Sequence, residues 1–321
     1  MKHDPGGNHH SRLPGRKPTR AKGIAATVTA VVALAGATAS TAQASQDPSP
    51  PWPQLLPPRP LTDRTQPKPT WRCHKATMRC FADTIRRMKK LQRRFGCDHR
   101  GVFATTYLLL TQQMRKTIQK NPHYFHDLRW LIYEDTVFAN FYFHVIDADA
   151  RGKPVPQAWK IAFDTAKRGD ANAGQDMLLG INAHVQRDMP FVLATVGVRT
   201  KKGETRKPDH DVVNQILSDA YEPIVSAIGR RYDSLVTISN ASWNPLDDFA
   251  GLEMVKGWRE GVWRNAERLL DAKTAAERRQ VSDSIEQNAA AWAASIAAPQ
   301  VPPGYRAQRD AYCRAGGAKA G

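Results

Sequence analysis

The sequence has little of what marks the common enzyme and membrane-protein classes. Its longest apolar run, about residues 24–36, is too short to span a bilayer, which needs about 20 residues. It contains no G-x-S-x-G elbow, no P-loop, no G-x-G-x-x-G fingerprint and no H-E-x-x-H motif. Strand-like alternation of apolar and polar residues is also scarce. These absences argue against α/β-hydrolases, phosphate-loop proteins, dinucleotide-binding proteins and zincin proteases.

Only four cysteines are present, and none shows the C-x-x-C spacing of a cysteine metal site. An even number in an exported chain predicts two disulfides. A helix between Cys80 and Cys97 would separate them by about 25 Å, and a disulfide needs Cα atoms within about 7 Å. We prefer Cys73–Cys80 with Cys97–Cys313. The pairing of Cys73 with Cys97 and of Cys80 with Cys313 would require the leader to run back along the whole helix.

The amino terminus has the composition of a secretory signal peptide over residues 1–44. Basic residues come first, the short apolar run follows, and Ala42-Gln43-Ala44 supplies the small-x-small cleavage pattern. No twin-Arg pair precedes the run and no Cys lies near the cleavage point, which favours the Sec route. Because the run is rich in Ala and Thr, we expect cleavage after Ala44 and a secreted protein. Retention of the segment as a membrane anchor is the alternative.

The rest of the chain divides by composition. Nine prolines fall within residues 45–70, which predicts a disordered Pro-rich linker, and residues 314–321 predict a flexible tail. Between them, residues 71–313 carry apolar residues at three- and four-residue spacing. This pattern predicts an all-α fold, a single multi-helix bundle domain whose central helices are interrupted at Pro190 and Pro223. The predicted helices number about eight and cover about residues 81–95, 99–119, 124–148, 156–168, 172–197, 209–230, 246–271 and 274–297.

The chain is basic, with a formal net charge of +17. Six basic residues and one acid lie within residues 1–44, which leaves +12 on the mature chain. Such a protein suits an anionic cell-envelope polymer, a lipid headgroup or a phosphate-bearing small molecule, although the charge could also serve solubility alone. No nucleic-acid-binding signature is present. One face of the first predicted helix is strongly basic, with Arg86, Arg87, Lys89, Lys90, Arg93 and Arg94.

Polar side chains interrupt the apolar stripes of four predicted helices. Asp135 lies on the stripe of the third helix, and His184 and Asp188 lie on that of the fifth at a spacing of i, i+4. His210 occupies the stripe of the sixth helix and Arg259 that of the seventh. Burying one charge without a partner costs several kcal/mol. We therefore expect these five side chains to meet in the core.

Three interpretations of such a cluster stay open. It could be a structural network in which Arg259 satisfies the carboxylates. It could bind a divalent metal such as zinc through His184, Asp188 and Asp135, with His210 as a further nitrogen donor. It could instead be a metal-free site in which His184 is a general base oriented by Asp188, and Arg259 holds a phosphate or carboxylate.

We expect a hydrolase-like protein acting on a phosphate or carboxylate ester, in which the central cluster is catalytic. The alternative is a non-catalytic binding module for an anionic cell-envelope polymer or lipid, which would use the basic face of the first helix. The sequence does not identify a substrate.

Three short segments carry a family resemblance. A Leu-Gly-Ile-Asn-Ala-His-x-x-x-Asp segment stands at residues 179–188, an Ala-Trp-x-x-Ala-Phe element at residues 158–163, and Asp-Val-Val-Asn at residues 211–214. Together they resemble a family of uncharacterised, mostly actinobacterial proteins over about residues 80–300. Because the reaction of that family is not known, the resemblance implies no activity.

A much fainter likeness links the His and Asp at i, i+4 to the helical zinc phospholipases C and the related secreted nucleases. Those proteins also place His and Asp in this way on a core helix. Their pattern continues with His-Gln-Pro-x-His, which is absent after Asp188. The resemblance therefore does not extend to a three-zinc site.

Overall fold

Helices make up most of the computed structural model, which describes residues 73, 75–238, 248–299 and 301–316. No strand occurs in these ranges, where an isolated bridge joins Arg199 to Thr205 in a loop. The predicted all-α class is confirmed. The predicted signal peptide at 1–44 and linker at 45–70 lie outside the described residues and stay predictions.

The helices follow one another with short connections. In chain order they are α1 (Met78–Phe95), α2 (Arg100–Lys120), α3 (Leu128–Ala150), α4 (Gln157–Arg168), α5 (Ala173–Ile181), a π-helix (Asn182–Asp188), α6 (Met189–Val196), α7 (Lys207–Tyr232), α8 (Leu235–Ile238), α9 (Asp248–Asp271), α10 (Ala275–Ala297) and α11 (Tyr305–Ala315). We call the continuous stretch of α5, the π-helix and α6 the central segment. Helix α11 extends into the predicted tail, of which residues 317–321 are not described.

Two predicted interruptions have different outcomes. The central segment is interrupted by the π-helix, which ends at Asp188, and Pro190 stands in the first turn of α6 directly after it. The interruption expected at Pro223 is wrong, because α7 continues through it. Pro223 and Asp219 are both exposed, so the carbonyl that loses its helical partner faces water.

Local chemistry fixes several helix ends near the centre of the fold. The Asp127 side chain accepts from Trp130 N at 3.0 Å and caps α3. Gly169 ends α4 with a φ of 68°, a left-handed conformation that suits glycine. Helix α2 begins after His99, and Asp98 Oδ1 accepts from the backbone N of Arg100 at 2.9 Å.

Helices α2 and α3 form the middle of the core. Residues 101–108 of α2 and 130–139 of α3 are buried without a break, so both helices are covered on every side at these positions. Helix α2 packs on α1, α5 and α7, whereas α3 packs on α1, α6 and the π-helix. The central segment is covered from outside by α4, α9 and α10. This arrangement leaves a cavity between α2, α3, the central segment, α7 and α9.

Both preferred disulfides are present. Cys73 is bonded to Cys80 at the start of α1, and Cys97 is bonded to Cys313 of α11 with Cα atoms 5.8 Å apart. The second bond ties the last helix to the turn between α1 and α2. Within the described ranges, none of the helices combines the length and apolar character needed to cross a bilayer.

Candidate functional site

A cavity of about 710 Å³ lies among the central helices. Its wall is mostly apolar and also includes parts of residues 295–305. Small-molecule sites in proteins are typically cavities of this size, lined by apolar side chains and a few well-placed polar groups. We therefore place the candidate site in this cavity.

Polar side chains from five helices contribute to the cavity wall. Each of the surrounding helices contributes at least one of them: Tyr107, Glu134, Asp135, His184, His210 and Arg259. All six side chains are buried. We call this set the polar end of the cavity.

His184 lies in the π-helix with its ring held between aromatic side chains. The ring stacks on Phe138 with centroids 3.6 Å apart, and the Tyr107 centroid is 4.8 Å away. His184 Nδ1 is 3.1 Å from Asp188 Oδ2, while Nε2 has no hydrogen-bond partner in the described part of the chain. Burial lowers the pKa of His184 against the opposing effect of Asp188. The imidazole is therefore neutral at pH 7.

Asp188 is fully buried and orients His184. Trp159 Nε1 donates to Asp188 Oδ2 at 2.9 Å, and Arg187 Nη1 donates to Oδ1 at 2.9 Å. Arg187 is itself held by Glu286 at 2.6 Å. Because both oxygens accept N–H groups, Asp188 acts as a carboxylate, and His184 Nδ1 must carry the ring proton. Nε2 then carries the lone pair of a ring that lines the cavity.

Two adjacent carboxyl groups of α3 face the same region. Glu134 Oε1 and Asp135 Oδ2 have no hydrogen-bond partner among the described residues. Burial raises the pKa of Glu134 to about 7, although nearby Arg259 acts in the opposite direction. Burial, and then the charge of Glu134, raise the pKa of Asp135 well above its usual range. The raised pKa favours the protonated form of Asp135, which is the form that can donate a proton.

The Tyr107 hydroxyl is a third polar group with no partner in the described ranges. Burial raises its pKa well above the usual value, and the charges of Asp135 and Glu134 act in the same direction. The hydroxyl therefore keeps its proton and remains a hydrogen-bond donor.

Arg259 brings a positive charge to the polar end. Its Nε donates to Asn214 Oδ1 at 2.8 Å, and Nη2 donates to the carbonyl oxygen of His210. Nη1 contacts Met189 Sδ at 3.7 Å, a weak acceptor. None of the described carboxylates forms an ion pair with this guanidinium. Burial lowers the pKa of Arg259 to about 10, so the group stays charged at pH 7.

Of the side chains predicted for the site, Asp135, His184, His210 and Arg259 line the cavity. Asp188 does not line it and reaches it through His184. His210 faces the backbone, because Nε2 donates to the carbonyl oxygen of Arg259 at 3.2 Å. Burial, followed by the charge of Arg259, lowers the pKa of His210 well below its usual value, so its ring is neutral.

Sequence reasoning missed Glu134 and Tyr107. Neighbouring residues on a helix point about 100° apart. Because Asp135 was assigned to the apolar stripe of α3, Glu134 was expected to lie beside that stripe rather than on it. Because α2 and α3 are buried on every side here, residues off the stripe also reach the interior. The proximity of Glu134 to Asp135 in the sequence was the one available clue.

The residues named as metal ligands do not fit a zinc site in this arrangement. Among the described residues, no three His, Cys, Asp or Glu side chains are grouped so as to hold a metal ion. Both oxygens of Asp188 already accept N–H donors, and His184 Nδ1 points at Asp188 rather than at a shared centre. The chemistry considered below uses no metal.

A protein family described as a family of unknown function (DUF5995) matches residues 81–299. The match includes all of the polar end and the central segment. No curated protein and no solved structure matches the chain. The expected likeness to an uncharacterised family is confirmed at this level, whereas the fainter one to zinc phospholipases C has no support from these comparisons.

Proposed function

The chain belongs to a family of unknown function, DUF5995, and we propose that it is a hydrolase-like enzyme that cleaves a carboxylic ester in its central cavity. The observation that carries the proposal is the free Nε2 of His184. Asp188 fixes the tautomer and orientation of that ring, which lines a mostly apolar cavity, and Nε2 has no hydrogen-bond partner among the described residues. An oriented neutral imidazole is the most frequent general base in enzymes.

The proposed reaction is the attack of water on the ester carbonyl carbon. His184 Nε2 takes a proton from the water as the new C–O bond forms. The bond between the carbonyl carbon and the alcohol oxygen then breaks, and Asp135 gives its proton to that oxygen. Transfer of the proton from His184 to Asp135 restores both groups, so that one water and one ester yield one acid and one alcohol.

The negative charge that develops on the carbonyl oxygen needs donors at the polar end. The Tyr107 hydroxyl keeps its proton and has no partner in the described ranges, and the buried guanidinium of Arg259 supplies a positive charge. Fixed donors of this kind act most strongly where water is excluded. The oxyanion role is therefore given to Tyr107, with Arg259 as an electrostatic partner.

A carboxylic ester fits the polar end better than a phosphate ester. The wall of the cavity is mostly apolar, and a phosphate monoester would bring two negative charges to the single guanidinium of Arg259 there. A neutral ester carries no such cost. Turnover of phosphate esters is the alternative outcome of the test below.

The test is a comparison of carboxylic and phosphate esters of the same chromogenic phenol, with the wild-type protein and His184→Gln. We expect wild-type turnover of the carboxylic esters and a loss of at least about 100-fold in kcat/KM in His184→Gln. His144→Gln is the matched control, because His144 is an exposed histidine on α3. Equal rates in wild type and His184→Gln would contradict the proposal, and so would activity confined to phosphate esters.

A non-catalytic binding module for an anionic cell-envelope polymer or lipid is the second candidate. It is favoured by the basic face of α1, where Lys89, Lys90, Arg93 and Arg94 are exposed. Arg87 is less available, since it pairs with Asp147 at 3.3 Å. Binding through this face would weaken with salt and with replacement of Lys89 and Lys90, and it would be indifferent to His184.

We also propose that the protein acts after export, with cleavage after Ala44. The two disulfides support this, because such bonds persist mainly in oxidising compartments. Intact-mass measurement of protein from the culture medium should give a chain that begins at Ser45. A full-length chain retained on the membrane would contradict this proposal without affecting the chemistry.

A further inference from the structure

The cavity is much longer than it is wide. It is lined from Gly174 to Met189 along the central segment and from His210 to Val225 along α7. At about 1.5 Å per residue, each of these stretches extends about 20 Å. A spherical chamber with the volume of 710 Å³ would be only about 11 Å across. The cavity is therefore a channel that runs along both helices.

The two helices are aligned so that the polar end lies at one end of this channel. Arg259 Nη1 contacts Met189 of the central segment, and Arg259 also binds the backbone of His210 at the start of α7. At the opposite end, Met177 packs in one cluster with Ile224 and Val225. Between the ends the wall is apolar, with Leu110, Ile181, Val185, Val213 and Leu217.

Exposure shows which end opens to solvent. Every member of the polar end is buried, with His184 only 2 % exposed. At the other end, Leu235 is 42 % exposed, and Ser295, Pro299 and Pro302 are exposed as well. These residues line the same cavity. The channel thus has a mouth at Leu235, Ser295 and Pro299 and a polar, closed inner end.

Arg259 determines which kind of group the inner end favours. Arg259 is 4 % exposed, and its guanidinium contacts an amide oxygen, a carbonyl oxygen and a thioether. A buried cation without a paired anion is costly, and guanidinium groups match carboxylates in geometry. An anionic or ester oxygen would therefore be stabilised at this position.

From the channel and its polar end, we propose that the ligand is a single unbranched acyl chain that enters with its carboxyl group first. The carboxyl group, free or esterified to a small alcohol, lies at Arg259 and His184, and the hydrocarbon extends toward Leu235. This inference rests on the proposed function for its reaction and names the substrate class: esters with one long chain and one small group. Burial of the hydrocarbon drives binding.

Binding without turnover tests this inference separately from the chemistry. The probes are saturated fatty acids from hexanoate to docosanoate, measured by displacement of a fluorescent fatty acid from the wild-type protein. We expect affinity to rise by up to about fourfold per added methylene while the chain lies inside the channel. The rise should stop for the longest acids, whose ends pass the mouth. Affinity independent of chain length would overturn the proposal.

The orientation of the chain is tested by paired ligands and paired variants. Arg259→Met should weaken binding of hexadecanoate by at least about tenfold, whereas the affinity for hexadecanol should change by less than about twofold. Arg264→Met is the matched control on α9, because Arg264 pairs with Glu260 at 2.9 Å and does not line the cavity. An equal loss for acid and alcohol, with the fold intact by circular dichroism, would overturn the carboxyl-first orientation. Arg259→Lys keeps the charge and should retain most of the affinity if Arg259→Met does not fold.

His184→Gln separates the two proposals. We expect this variant to bind fatty acids like the wild type, because the chain and Arg259 provide the affinity. If wild type and His184→Gln both bind fatty acids normally and neither cleaves an ester, the proposed reaction is overturned and the acyl channel stands. Absence of fatty-acid binding together with normal turnover of short esters would overturn the acyl channel and leave the reaction standing.

Discussion

Single residues at the polar end differ in what they do for stability and in what they can do for chemistry. Asp188 accepts from Trp159, Arg187 and His184, so it is the centre of a buried network. His184 has one of its two ring nitrogens in that network, and the other has no hydrogen-bond partner among the described residues. The free one is what favours a functional interpretation.

The first prediction separates those contributions. Asp188→Asn should lower the free energy of unfolding by about 2–4 kcal/mol, because it places an amide against buried N–H donors. His184→Gln should cost about 1 kcal/mol or less, because Asp188 keeps its bonds to Trp159 and Arg187. Urea unfolding of both variants measures the difference. Equal losses would mean that His184 serves the structure and would remove the main argument for a base.

The second prediction concerns Glu134, whose pKa is raised to about 7 from an ordinary value of 4.5. Below pH 4.5 the group is protonated in both states. Between pH 4.5 and 7 the unfolded chain loses the proton and the folded protein keeps it. Stability therefore falls by up to about 1.4 kcal/mol per pH unit, to a total of about 3 kcal/mol, and stays lower above pH 7.

Glu134→Gln removes this titration. We expect urea unfolding from pH 4.5 to 8.5 to show a change in the relative stability of the two proteins. The free energy of unfolding of the variant should rise by about 3 kcal/mol relative to that of the wild type up to pH 7, and the difference should stay constant above pH 7. Contributions from other titrating groups cancel in the difference as far as they do not interact with Glu134. A difference that does not change with pH would show that burial does not raise the pKa of Glu134 in the folded protein.

At the scale of elements, the π-helix positions the site. A helical period of 3.6 residues put Met177, Ile181, His184, Asp188 and Phe191 on one stripe. In the structure the first three line the cavity, Asp188 turns to Trp159, and Phe191 packs in a separate cluster with Leu269 and Ile285. The wider turn of a π-helix shifts the register, and such turns are frequent at functional sites. No composition rule predicts where a π-helix begins.

Other elements show what else the pattern could and could not predict. Most helix bounds came out within about four residues, because Pro and Gly mark the ends and apolar periodicity marks the interior. Helix α11 was not predicted. Its buried residues are Arg309 and Cys313, so it is held by a disulfide and a buried arginine rather than by an apolar stripe. Pattern reasoning has no basis for such a helix.

The third prediction tests how α5 meets α2. A Cβ on Gly180 would overlap the ring of Phe103, which is fixed among Tyr142, Trp159 and His184. Gly180→Ala should lower the free energy of unfolding by about 1–3 kcal/mol despite the better helix propensity of Ala. Thermal or urea unfolding measures it.

Gly261 provides the matched control for that change. It lies inside α9, and a Cβ there would meet nothing within 4 Å. Gly261→Ala should therefore stabilise the protein by about 0.5–1 kcal/mol. The same sign for both substitutions would show that Phe103 does not pack on Gly180.

At the scale of the whole molecule, one covalent bond joins the last helix to the turn between α1 and α2. The Cys97–Cys313 disulfide spans 216 residues, and Cys73–Cys80 spans seven. Chain entropy depends on the logarithm of the loop length, so the long loop stabilises by about 5 kcal/mol and the short one by about 2.5 kcal/mol. The pairing itself followed from the length of α1. The length of α1 did not indicate that this bond would anchor a further helix, α11.

The fourth prediction compares the two bonds. Replacing Cys97 and Cys313 together by Ser should lower the free energy of unfolding by roughly twice as much as replacing Cys73 and Cys80. Denaturant unfolding of the two double variants measures this. A larger loss for the pair Cys73 and Cys80 would show that the long-range bond does not hold the helical region together.

The central claim is that the channel holds an acyl ester and that His184 activates the attacking water. The most direct test is a single-turnover experiment with one long-chain ester of a small alcohol, in which binding and cleavage are followed on the same sample of wild type and His184→Gln. We predict that both proteins bind the ester with similar affinity and that the wild type cleaves it at least about 100-fold faster. Equal cleavage by His184→Gln, or no cleavage of the bound ester by the wild type, would contradict the claim.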